Sequence, residues 1–151
     1  MTARELFEAA RQASFELWRH DMRYDAMERR ALSLGGASDA KVSPGGIRDR
    51  MGAVDAMADY EAMMERRVAE WCAAVDLAVA VLYGADWEHG VAKELGIGYA
   101  EVLDLIYIQR ESLRATAART HFSRRTCAYM RNRALAFIDA VGTAALIAPV
   151  V

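Results

Sequence analysis

Along the first part of the chain, apolar residues recur in alternating steps of four and three: Leu6, Ala10, Ala13, Leu17, His20, Tyr24, Met27, Ala31 and Leu34. This heptad seam predicts one long helix over 2–34, with His20 its single polar intruder. Thr2 followed by Glu5 has the spacing of a capping box. The stretch 35–46 then gathers Gly35, Gly36, Pro44, Gly45 and Gly46 around small polar residues and predicts a loop. A second seam follows through Ile47, Met51, Val54, Met57, Glu61, Met64, Val68, Trp71, Val75, Ala78 and Leu82, which predicts a helix over 47–83. At about 1.5 Å per residue both helices approach ~50 Å. Similar lengths joined by one loop predict an antiparallel hairpin. Phe7, Phe15, Trp18, Met22, Met63, Cys72, Leu77 and Val79 lie off both seams, so the expected arm (1–83) needs another apolar partner, most simply a second copy of the chain.

The pattern then shortens. Residues 84–98 read as a linker with one short helix at Val91–Leu95, closed by Gly96-Ile97-Gly98. From Tyr99, the residues Val102, Leu103, Leu105, Ile106 and Ile108 predict a helix reaching Arg110. Ser112 is placed to cap a short helix over Leu113–Arg119, with Leu113, Thr116 and Ala117 inward. After Thr120-His121-Phe122, Ser123 caps a last helix whose inner side is Cys127, Met130, Ala134, Leu135, Phe137, Ile138 and Val141, and which stops at Gly142. Residues 143–151 form an apolar tail. The expected fold is all-α: a long, coiled-coil-like helical hairpin followed by a C-terminal helix-turn-helix domain over 99–142.

A short helix, a three-residue turn and a capped, arginine-rich helix are the parts of a helix-turn-helix. In that motif the exposed N-terminal end of the second helix enters a major groove. The stretch from Ser112 to Leu135, SLRATAARTHFSRRTCAYMRNRAL, resembles without a gap the region-4 helix-turn-helix of bacterial sigma factors. The preceding LDLIYI of Leu103–Ile108 resembles that module's opening helix. Together with the phrase Asp49-Arg50-Met51 entering the second long helix, the chain resembles small phage and prophage proteins that include the RinA/ArpU-type regulators of late transcription. Three positions depart from the pattern: Leu113 stands where Trp or Tyr is usual, Thr120 where Leu is, and His121 where Gly is. The resemblance implies that Arg124, Arg125, Tyr129 and Asn132 touch base edges, that Arg114, Arg119, Arg131 and Arg133 meet phosphates, and that Ser123 belongs to the same DNA-binding set. It implies double-stranded DNA as partner and leaves RNA polymerase open as a further one. The segment 91–98 also echoes a first helix and turn, but no basic helix follows it, so it reads as packing.

Charge sharpens this picture. The net charge of −2 averages two unlike parts: residues 105–151 hold seven arginines and no lysine against Glu111 and Asp139, a balance of +5 that leaves −7 for the rest. Arginine's planar fork suits phosphates and guanine edges. With 54% hydrophobic residues and only two prolines, the composition excludes a disordered chain and favours helix. Cys72 and Cys127 form no CxxC pair, which argues against a disulfide framework or zinc knuckle and for a reducing compartment. No secretory signal or membrane span is read, so a cytoplasmic protein is expected. His20, His89 and His121 are scattered, Asp86 with His89 and Glu61 are only fragments of a metal-site pattern, and neither a nucleophile-and-base motif nor a phosphate loop occurs. The expectation is a DNA-binding transcriptional regulator, dimeric through its arm, with no metal, cofactor or catalysis. The competing class is an assembly, packaging or polymerase-associated adaptor that uses the same module structurally.

Overall fold

The computed structural model describes residues 1–35 and 44–148. Of the described residues 85% are helical, and none of them forms a strand. Helix α1 spans Ala3–Gly35 and α2 spans Pro44–Tyr83. The capping box forms: the Thr2 amide donates to Glu5 Oε2 at 2.8 Å and the Glu5 amide to Thr2 Oγ1 at 3.2 Å. The reciprocal bonds hold the Glu5 carboxyl below its ordinary range. The expected loop is shorter than 35–46, because α1 takes in Gly35 and α2 opens at Pro44, whose missing N–H costs nothing in a first turn. The rest of that loop, 36–43, lies outside the described residues.

Five shorter helices follow: α3 (Val91–Glu94), α4 (Ile97–Leu103), α5 (Leu113–Thr120), α6 (Arg124–Val141) and α7 (Thr143–Ile147). Helix α4 begins two residues before the expected Tyr99, directly after Gly96 at φ 121°. It runs on as a π-helical segment, Asp104–Ile108, in which Leu105, Ile106 and Tyr107 are buried in succession. Successive helical residues point in different directions, so burial of three in a row encloses this segment on more than one side, which periodicity does not signal. The segment 143–151, expected as a tail, contributes α7. Its Leu146 is buried in the core, and the Ala85 amide donates to the Ile147 carbonyl at 3.2 Å.

The chain divides into two compact units, Met1–Phe15 with Trp71–Val151, and Glu16–Glu70. The division therefore falls inside both long helices and not at the expected boundary after Tyr83. Its physical reason is the core of the first unit, which takes Leu6, Phe7 and Ala10 from α1 and Ala78, Val81 and Leu82 from α2. Phe7, expected to seek a second copy, instead meets Tyr107 with ring centroids 5.5 Å apart. Ser14 Oγ donates to the Ile108 carbonyl at 2.6 Å, and the Ala3 amide to Asp139 Oδ1 at 2.7 Å. Helix α6 packs against α4, α5 and α7 in this unit.

In the second unit, Leu17, His20, Tyr24, Met27 and Ala31 of α1 are half-buried, as the seam predicts. On α2 the seam departs from the expected one. Met51 and Val54 are 62% and 53% exposed and Glu61 is exposed, whereas Ala53, Met57, Tyr60, Met64 and Val68 are the sheltered positions. Tyr60 is the reason: its ring stacks on His20 at 5.3 Å, and its hydroxyl lies 3.2 Å from His20 Nδ1. The polar pair of this seam is thus His20 with Tyr60. Glu61 sits beside it as the hydrogen-bond partner that raises the Tyr24 hydroxyl above its ordinary range.

Candidate nucleic-acid interface

The basic region is built on two serine caps. Ser112 Oγ accepts from the Ala115 amide at 3.1 Å and starts α5; Ser123 Oγ accepts from the Thr126 amide at 3.0 Å and starts α6. Each cap satisfies one of the amides that a helix start leaves orphaned. Between them His121 adopts the left-handed conformation, φ 63° and ψ 13°. That is the backbone state for which the sigma-like pattern uses glycine, and histidine bears it at a cost of about 1 kcal/mol. Thr116 is fully buried on α5, and its hydroxyl has no hydrogen-bond partner among the described residues. Phe122 follows in the turn between α5 and α6. It lies over α4, where a Cβ added to Gly98 would stand 3.6 Å from its ring and 3.3 Å from Met130 Cε.

The predicted contact residues differ in how far the fold commits them. Arg114, Arg124, Arg125 and Asn132 are exposed, and among the described residues neither Arg124 nor Arg125 forms an ion pair or hydrogen bond through its side chain. Arg119 is committed to its own chain: its guanidinium donates to Gln109 Oε1 at 3.0 Å and to Glu111 Oε1 at 3.3 Å. Arg133 is exposed but held, donating to Tyr129 Oη at 3.3 Å and Tyr99 Oη at 3.4 Å, with its guanidinium 5.7 Å from the Tyr99 ring centre. The Tyr129 hydroxyl pushes this already charged guanidinium further up in pKa. Arg131 is half-buried and donates to Asn132 Oδ1 at 3.3 Å. Ser123 holds its place as the cap.

Helix α6 carries one carboxylate, Asp139, whose Oδ1 caps the Ala3 amide near the far end from Arg124. Sequence reasoning missed Tyr99, which lies 34 positions from Arg133 and on a different helix; no local pattern announces such a pair. Elsewhere, Asp86 and His89 bond each other at 2.7 Å, which lowers the Asp86 carboxyl, and among the described residues no three His, Cys, Asp or Glu side chains gather as metal ligands. No helix of the described residues is long and apolar enough to cross a membrane. No family model, curated protein or solved structure matches this chain.

Proposed function

We propose that this protein is a sequence-specific, double-stranded DNA-binding transcriptional regulator of the phage type, in which α5, the turn at His121 and α6 act as a helix-turn-helix. The observation that carries the reading is the N-terminal end of α6: Ser123 caps it, and Arg124 and Arg125 stand exposed and uncommitted at its first turn. A helix start adds its own positive end to those two charges, so the site favours anions and base edges that accept hydrogen bonds. The left-handed His121 supports the same reading, since it supplies the tight turn that the resemblance requires. In this proposal α1 and α2 form an antiparallel hairpin and a second copy joins along it, which sets two such helices on two half-sites.

Selection of bound duplexes from a random DNA pool by the full chain tests this directly. An enriched motif is expected, with log affinity falling linearly as log salt rises. Replacing Arg124 and Arg125 by Ala is expected to lower affinity for the selected duplex by roughly 1–3 kcal/mol per lost bidentate contact. An unenriched pool, or a flat salt dependence, removes the reading. An assembly or adaptor role is favoured by one observation, the exposure of Trp18, Met22 and Met63 on the long helices at 48%, 54% and 67%. A ring of many subunits with no duplex preference would support it.

A further inference from the structure

Tyr99, Tyr129 and Arg133 form a cluster whose role deepens the DNA-binding reading and rests on it. An arginine on a helix surface ordinarily samples many rotamers, and ordering it on binding subtracts from affinity. Arg133 is ordered beforehand. Two hydroxyls from two different helices receive its N–H groups, at 3.3 Å from Tyr129 on α6 and 3.4 Å from Tyr99 on α4. The Tyr99 ring lies against the guanidinium at 5.7 Å, a cation–π distance. Only one guanidinium nitrogen, Nη1, makes these bonds, so the other N–H donors of the fork remain for a ligand. Among the described residues no carboxylate takes part, so the charge is positioned without being neutralised. Arg119 shows the contrast, because Glu111 pairs with it.

We infer that Tyr99 and Tyr129 are positioning residues that hold Arg133 as a preset phosphate-binding group, coupling α4 into the DNA-facing surface. Tyr129 then serves the backbone contact and not base readout. Positioning and contact have different thermodynamic signatures. Loss of a phosphate-bound charge lowers the slope of log affinity against log salt by about 0.9. Loss of a group that only orders that charge lowers affinity and leaves the slope alone.

The test is affinity of the full chain for a labelled selected duplex across a salt series. Arg133→Gln is expected to reduce the slope by about one. Tyr99→Phe and Tyr129→Phe, which keep the rings and the charge, are expected to weaken binding roughly threefold to tenfold, the ordering cost of one long side chain, with the slope unchanged. Arg133→Lys, which keeps the charge, is expected to retain the slope. Thermal unfolding of each variant separates these effects from loss of fold. If Arg133→Gln leaves both slope and affinity of a binding-competent chain unchanged, Arg133 is a brace between helices and the inference fails while the DNA reading stands. If the unmodified chain binds no duplex, the DNA reading itself fails.

Discussion

Gly90 shows how much one position without a side chain can decide. Its φ is +81°, and a Cβ there would lie 2.6 Å from the backbone of Leu82 and Tyr83, so the loop after α2 folds back onto the end of that helix with no room for a methyl group. Gly142 has a similar φ, +90°, but nothing within 4 Å of its would-be Cβ. The two separate steric cost from conformational cost. Gly142→Ala is expected to cost about 1–3 kcal/mol, from its glycine-favouring backbone (φ 90°, ψ 146°) alone. Gly90→Ala adds a collision with main chain and is expected to cost clearly more, read from urea unfolding midpoints. Equal losses at both sites would mean that the close approach to Leu82 is not maintained in solution. Three larger residues, Trp87, Arg110 and His121, also hold positive φ, at 65°, 59° and 63°. Only His121 is legible in the sequence, because the family-like pattern marks that place. A tryptophan or arginine gives no such sign.

Helix existence follows from period and caps, since Thr2 with Glu5, Ser112, Ser123 and Gly142 all stand where side-chain or backbone capping demands them. The α1 seam is legible because its steps of four and three run unbroken from Leu6 to Leu34, with His20 the one polar residue on it. On α2 two adjacent stripes both carry apolar residues, and type alone does not choose between Val54–Glu61 and Ala53–Tyr60; the ring of His20 chooses. The π segment is not legible, because one residue too many per turn leaves composition unchanged. That segment is tied to α2 by Tyr83, whose hydroxyl donates to Asp104 Oδ2 at 2.8 Å. Burial, then the bond and charge of Asp104, raise the Tyr83 hydroxyl well above the ordinary 10.0. A raised tyrosine stabilises the fold fully below its unfolded value, and that contribution drains away as pH climbs from there through the folded value. Stability is therefore expected to be flat in the neutral range and to fall above about pH 10. In Tyr83→Phe the neutral-range stability drops by about 1 kcal/mol with the bond, while the alkaline decline becomes shallower. Tyr107, also raised by burial, keeps the decline from vanishing. An unaltered alkaline slope in the phenylalanine variant would disconnect Tyr83 from it.

The first unit closes its own core around Phe7, Tyr107, Leu103 and Ile138, whereas the second, Glu16–Glu70, is two helical stretches with one seam between them. A two-helix seam buries little, and Met64 is the single fully sheltered large side chain of that unit among the described residues. Trp18 and Met22, four residues apart on one face of α1, stay about half exposed at 48% and 54%. An isolated helix pair with that face in water gains too little apolar burial to offset the order it imposes, whereas a second copy laid along the same face supplies more of it. The regulator reading needs this too, because two half-sites ask for two modules. Sedimentation of the full chain is expected to give a dimer at micromolar concentration. Trp18→Ser with Met22→Ser is expected to shift it to monomer while leaving α6 folded. The same variant is expected to bind a single half-site as the unmodified chain does, but to lose the extra affinity of the paired site, a factor of about 10² or more where two modules act together. A chain that sediments as a monomer at every concentration, and still prefers paired half-sites, would place the pairing surface on the DNA-binding unit and free the long helices for another partner.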